Sequence, residues 1–365
     1  MFTCKHKLYI LFGILVYNMK ITTKEVREVT KIIDGIIEEY KEESTPKERD
    51  WRTYEQRVSR RLQTAFRELK PLVQEAVSSI VVIKCETRGS KPILTLEQKV
   101  LALLLKHLIG KSNREMSLML IIFSWLSGVE VSYKTIERLY SDQGVVLALH
   151  NLHILMLRKK GVKDVDCGGD GSGYGLTIKK HYATEAQKLK EKIKTLNGQT
   201  KKGKENKKKK IALFIYSFVI IDIVTRMYIA YGTSFKSEKE AFLCAIKMLE
   251  EVGTDIKIKS LRLDKYYQQA YVEFLEEKLG KVKFYIIPKK NATVKGSWEW
   301  KRMLHRFVQD TKAFLKEYFQ RNQSESGFAE DKKRTGWRLG QKIPDRIDTA
   351  NILTGLWHNL YWLAD

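Results

Sequence analysis

Apolar residues recur at helical spacing from Thr22 to about Val82. Val26, Val29, Ile32, Ile33, Ile36 and Ile37 form one stripe, Leu62, Phe66, Leu69, Leu72 and Val73 a second, and Ser44-Thr45-Pro46 interrupts them. The pattern predicts two or more amphipathic helices with a scaffold role, and the basic run Arg52, Arg57, Arg60 and Arg61 is available to phosphates. Between Leu94 and Asp142 three short helices are expected. Thr95-x-x-Gln98 and Ser112-x-x-Glu115 read as capping boxes for the first two, and the third starts at Ser132 after Gly128. Helix, short helix, glycine turn and helix is the layout of a helix-turn-helix unit, with Tyr133, Lys134, Thr135 and Arg138 on its polar positions.

After Leu157 the pattern becomes mixed. Lys163 to Gly169 alternates and predicts a strand that runs into a glycine turn at Asp170-Gly-Ser-Gly-Tyr-Gly. Ala183 to Lys210 is charged and ends in a lysine run, so it is expected to stand in solvent as a basic insertion, 183–210. Ile211–Ile220 and Met227–Tyr231 read as a hairpin, with Asp222 capping its turn, and Ser237–Val252 as a helix. Strand Ile256–Asp264, helix Tyr266–Leu279 and strand Lys283–Pro288 then form a β-α-β unit, which demands a parallel pair. Ile347–Leu363 predicts a closing amphipathic helix. This is the element order of a ribonuclease H-like α/β domain with a mixed five-stranded sheet and flanking helices, preceded by an all-α region.

Composition adds a partner. The chain has 365 residues, with 67 Lys and Arg against 43 Asp and Glu, a net charge of +24. That excess draws it to a polyanion, DNA first and an anionic membrane surface second. Lys134 and Arg138 on the third helix are the expected DNA-contacting side chains of the helical part. The apolar run Leu8 to Tyr17 is too short to span a bilayer. Polar, helix-forming sequence begins after Met19, which makes Met19 the expected start and residues 1–20 an apolar extension. Cys4, Cys85, Cys167 and Cys244 form no C-x-x-C pair, so four buried free thiols in a reducing cytoplasm are expected.

The candidate chemistry is carried by carboxylates. Asp170 and Asp264 each stand at a predicted strand end, and parallel neighbours bring such ends to one sheet edge. A third carboxylate must come from a helix crossing that edge. On one helix, Tyr318, Arg321, Glu325 and Lys332 fall within about 60 degrees of one another, so a single face presents a metal ligand flanked by a hydroxyl and two cations. Asp264 has a structural alternative as a helix cap. Asp164 and Asp166 are expected to face solvent, Asp166 being the alternative first ligand under a different strand register.

The spacing Y-x2-R-x3-E-x6-K held by Tyr318, Arg321, Glu325 and Lys332 resembles the signature around the catalytic glutamate of one large branch of bacterial and archaeal DDE-type insertion-sequence transposases. Asp170-Gly-Ser-Gly-Tyr174 is similar to that family's D-G-T-G-[YF] block, and Leu-Arg-Leu-Asp264 stands between the two. The resemblance covers roughly residues 160–365. It implies Asp170, Asp264 and Glu325 as catalytic metal ligands for two magnesium ions, with manganese able to substitute. It also implies nicking of DNA at transposon terminal inverted repeats and transfer of the freed 3′ hydroxyl to target DNA. Tyr318, Arg321, Lys332 and Trp298 are then DNA-contacting, Trp298 or Trp300 by stacking on a base, with packing the alternative role for both. The long β-rich insertion of many members has no room, since 36 residues lie between Pro288 and Glu325. The expected organisation is 21–92 helical, 93–158 helix-turn-helix-like and 159–365 catalytic, in a cytoplasmic, nucleoid-associated protein that forms a dimer or larger assembly on DNA, with no membrane part. A ribonuclease H-fold nuclease or resolvase and a catalytically inactive, transposase-derived DNA-binding protein are the rival readings.

Overall fold

Thirteen residues with five glycines among them form the strand around which the sheet is built, β1 (Asp164–Leu176). The computed structural model describes residues 21–43, 50–80, 94–110, 119–121, 124, 130–176, 214–251, 256–341 and 343–364. β2 (Phe214–Asp222) pairs antiparallel with β1 from Cys167 to Gly175, and β3 (Tyr228–Ser234) pairs antiparallel with β2. The helix α6 (Glu238–Glu251) leads to β4 (Lys257–Arg262), parallel to β1, and α7 (Gln269–Leu279) crosses to β5 (Lys283–Tyr285), parallel to β4. The order is β3-β2-β1-β4-β5. The expected mixed sheet is therefore present with its β-α-β unit, and it is compatible with a ribonuclease H-like domain. A short sixth strand, β6 (Arg338–Leu339), pairs with the far end of β1 and was not expected.

One local expectation fails. The glycine stretch after Asp170 is not a turn, because β2 supplies a hydrogen-bonded partner for each residue through Gly175. Pairing along a whole edge outweighs the turn preference of individual glycines.

The helical part contains α1 (Thr23–Glu43), α2 (Trp51–Ser78), α3 (Leu96–Ile109), α4 (Tyr133–Leu139) and α5 (Gln143–Lys159). The expected box at Thr95 caps α3: Gln98 N donates to Thr95 Oγ1 at 3.2 Å and Thr95 N donates to Gln98 Oε1 at 2.9 Å. Ser132 caps α4. The capping box at Ser112, the break at Ser44-Thr45-Pro46, residues 1–20 and the insertion 183–210 lie outside the described residues.

Three further helices, α8 (Trp298–Gln309), α9 (Thr311–Tyr318) and α10 (Asn322–Thr335), precede the last, α11 (Pro344–Trp362). The sequence predicts α11 as amphipathic with one face on the sheet. It is instead buried on every side from Thr349 to Trp362, because it packs on β3 and α10 and also on α2, α3 and α5. Its polar residues are satisfied inside: Asn359 accepts from Tyr228 N at 2.7 Å and donates to Tyr228 O at 2.8 Å, as a neighbouring strand would. Of the described cysteines, Cys167 is buried but Cys244 is exposed on α6, contrary to expectation. Among the described residues no helix is long and apolar enough to cross a membrane.

Candidate active site

The β1–β4 register decides where the first two carboxylates fall. Gly168 pairs with Arg262, so two residues further on Asp170 comes opposite Asp264, just past the end of β4. Beyond that point β1 has no neighbour on this side until β6 joins it at Gly175. Asp170 and Ser172 therefore sit in a gap between β4 and β6. Asp264 does not cap a helix, since α7 starts at Gln269 with Gln268 in the cap position. Asp166 lies further back in the ladder, where it accepts the Ser260 hydroxyl.

Arg262, 2% exposed, fixes the end of β4. It donates to Glu317 O at 2.9 Å and Ser260 Oγ at 2.7 Å and forms an ion pair with the Glu317 carboxylate. That strut ties β4 to the end of α9 and so brings Tyr318 toward Asp264.

The third carboxylate arrives on α10. The predicted single helix is divided, with α9 ending at Tyr318 and one 3₁₀ turn, Phe319–Arg321, leading into α10. Arg321 forks between two carboxylates: Nη1 lies 2.9 Å from Asp170 Oδ1 and Nη2 lies 2.9 Å from Glu325 Oε1. Its guanidinium also lies over the Tyr318 ring at 5.9 Å. Lys332 reaches β1 further along, donating to Ser172 Oγ at 2.6 Å and lying over the Tyr174 and Trp337 rings. The structure thus brings together Asp170, Asp264, Tyr318, Arg321 and Glu325, and Lys332, further along α10, reaches across to Ser172 of β1.

The electrostatics follow from this crowding. Burial pushes the Asp170 carboxyl up to about 6, opposed by Arg321 and reinforced by the charges of Glu325 and Glu238. Burial works against the charge of Arg321, yet Asp170, Tyr318, Glu325 and Asp264 together hold its pKa above the ordinary value. Burial lowers that of Lys332.

Carboxylate oxygens are the ligands that magnesium prefers, so the donor chemistry fits. The spacing is not that of a closed site. Among the described residues no three His, Cys, Asp or Glu side chains are near enough to hold one ion, and the cation between Asp170 and Glu325 is the guanidinium of Arg321.

Two features were missed in the sequence. Glu238, at the start of α6, lies against β1 so closely that a Cβ on Gly171 would stand 2.5 Å from its Cγ. Tyr267 Oη donates to it at 3.2 Å. Its only sequence signal is an acidic residue in a first helical turn, which the helix dipole explains equally well. Behind α10, buried Asp331 accepts from Tyr228 Oη at 2.7 Å and Arg334 at 3.1 Å and pairs with His358 Nδ1 at 2.9 Å. Gly327 leaves the room this needs, as a Cβ there would be 2.7 Å from the Tyr228 hydroxyl.

The remaining expected residues lie elsewhere. Trp298 is 56% exposed at the start of α8 with Lys301 over its ring at 5.1 Å, whereas Trp300 is buried and donates to Thr293 O at 2.9 Å. Lys134 and Arg138 are exposed, one turn apart on α4, and pack with neither the carboxylates nor Arg321. The middle helix of their unit falls largely outside the described residues.

A sheet with acidic side chains at one strand edge, joined to helices in a strongly basic chain, is what a DNA-processing enzyme requires, and comparison with known proteins agrees: the chain belongs to a family of insertion-sequence transposases. It is 41% identical over 346 residues to the probable transposase for insertion sequence element ISA1214 of Archaeoglobus fulgidus, an alignment spanning 94% of this chain and 97% of that protein. No family model matches the chain.

Proposed function

We propose that the chain is a DDE-type transposase that binds transposon terminal repeats, cleaves at the ends and joins the freed 3′ hydroxyls to target DNA. The observation that carries this reading is the parallel β1–β4 register that sets Asp170 opposite Asp264, with Arg321 linking Asp170 to Glu325. Asp170, Asp264 and Glu325 would hold two magnesium ions. Bound there, the ions would supply Lewis-acid charge to a phosphoryl group and would lower the pKa of an attacking hydroxyl.

The chain's own side chains set the surroundings. Arg321 links Asp170 to Glu325, and once those carboxylates ligate metal its planar fork would be released to match two phosphate oxygens. Tyr318 packs against that guanidinium and limits its orientations. Lys332 adds a second cation on the same side of β1. Exposed Lys134, Arg138 and Trp298 are proposed to contact DNA away from the chemistry, the first two in the manner of a helix-turn-helix unit. Synapsis of two ends calls for a dimer or larger assembly.

The test is cleavage and strand transfer of a labelled duplex carrying the element's terminal sequence, in magnesium or manganese, by wild type and Glu325→Gln. Joined products that fall by at least about a hundredfold in the variant are expected, from loss of a metal-ligating carboxylate. Cleavage without joining would replace this reading with a nuclease. Binding with no cleavage by wild type would replace it with an inactive DNA-binding protein.

A further inference from the structure

The helix that carries Glu325 has little apolar surface to hold it. Of the fourteen residues of α10, Phe328 alone has a large apolar side chain, and no described side chain caps its first turn. Apolar burial is non-directional, so one phenylalanine does not fix the rotation of a helix about its axis. That rotation matters here, because Glu325 and Lys332 stand seven residues apart and within about 20 degrees of each other on the side turned to β1.

Buried Asp331 supplies the missing constraint from behind. It lies six positions after Glu325 and one before Lys332, about 120 and 100 degrees around the helix from them. Both of its oxygens are engaged: Oδ2 accepts from Tyr228 Oη at 2.7 Å, and Oδ1 accepts from Arg334 Nη1 at 3.1 Å and lies 2.9 Å from His358 Nδ1. The partners on β3 and α11 are themselves fixed without α10. The Tyr228 and His358 rings stack at 3.6 Å, within 2° of parallel, and His358 Nε2 donates to Arg226 O at 2.9 Å. Asn359 grips the Tyr228 backbone on both sides. Gly327 lets α10 come this close, since a Cβ there would stand 2.7 Å from Tyr228 Oη and 3.3 Å from His358 Cε1.

A carboxylate is costly to take out of water, and an apolar side chain would cover the same surface with less loss. What hydrogen bonds to both oxygens add is direction. Side chains stand roughly 5 to 6 Å from a helix axis, so a turn of about 10 degrees carries the Glu325 carboxylate about 1 Å, and a misplacement of that size can cost about a hundredfold in rate. We propose that Asp331, with Tyr228 and His358, is a positioning group that sets the rotation of α10 and so the place of Glu325 against Asp170. It acts through Glu325 and touches neither substrate nor metal. The proposal rests on the reading of Glu325 as a metal-ligating carboxylate.

The experiment compares full-length wild type with Tyr228→Phe, which keeps the ring stack and removes one hydrogen bond, and Asp331→Asn, which keeps the side-chain size. Leu149→Ala, at a fully buried position on α5, serves as a control for lost stability alone. Four quantities are read: melting temperature, affinity in EDTA for a duplex carrying the element's terminal sequence, strand-transfer rate in manganese at saturating duplex, and manganese affinity by electron paramagnetic resonance without DNA. All three variants should melt below wild type, and every assay is run well below those temperatures. Tyr228→Phe and Asp331→Asn are expected to join DNA about tenfold more slowly and to bind manganese more weakly, with duplex affinity unchanged. Leu149→Ala is expected to match wild type in rate and in both affinities. Rates and manganese affinities in the two network variants equal to those of Leu149→Ala would overturn the proposal and leave the network a source of stability only. Loss of duplex affinity with an unchanged saturated rate would overturn it as well. A wild type that neither binds manganese nor joins DNA would instead sink the metal reading, and the positioning role with it.

Discussion

At Asp170 an ion pair and burial oppose each other, and burial is the larger effect. With its carboxyl raised to about 6 from an ordinary 3.8, the folded chain keeps a proton between those values that the unfolded chain has released. The resulting stabilisation is full below about pH 4 and is lost as pH rises through about 6. Thermal melts in EDTA should therefore show wild type losing stability relative to Asp170→Asn as pH is raised from 4 to 7, and parallel profiles would contradict the assignment. At this scale the sequence was informative where geometry is local. The i, i+4 offset of Arg321 and Glu325 reappears as a 2.9 Å contact. Asp264 was legible as a strand-end residue, whereas the strand end expected at Asp170 is wrong, since Asp170 lies in the middle of β1. Glu238 was illegible because its nearness to Asp170 depends on the missing side chain of Gly171 and on the approach of a whole helix.

Among elements, the seating of α6 on the sheet sets where Glu238 stands. β3 admits α6 so closely that a Cβ on Gly232 would lie 2.2 Å from Ala241 O and 2.4 Å from Ala245 N, both backbone atoms that cannot swing aside. Gly232→Ala is expected to force α6 outward and to lower stability by about 3 kcal/mol, read as a fall in the denaturant midpoint with little change in slope. An unchanged midpoint would mean that the helix is not seated as described. The β-rich runs gave away the hairpin, and apolar periodicity gave away the helices, since both depend on neighbours near in sequence. The length of β1 was hidden because glycine is read as a turn former until a paired strand is known. The 3₁₀ turn before α10 was hidden for a similar reason: its position is set by the Arg262–Glu317 strut across the fold, not by local composition.

At the level of the whole molecule, α11 joins the helical part to the sheet. Trp357 is fully buried, donates to Leu104 O at 2.9 Å and lies 5.6 Å from the Phe66 ring, while Asn359 on the same helix pairs with β3. A shared core of this kind should unfold in one step. Hydrogen exchange in α2 and in β2 is expected to report the same opening free energy, and Trp357→Ala should lower both by about 4 kcal/mol; two separate transitions would show that the parts are independent. The amphipathic reading of α11 went wrong because a sequence shows which residues are apolar but not how many surfaces will cover them.

The same helix bears on the order of events at the ribosome. α11 emerges after all the other described elements, yet α2, α3 and α5, made long before it, pack against it. Domains ordinarily fold as units during synthesis, but here the early helices wait for α11 before their inner faces are covered. A nascent or prematurely terminated polypeptide lacking α11 exposes apolar surface on both the helices and β3, which makes it a substrate for chaperones and proteases and leaves chains that carry α11 as the form that persists.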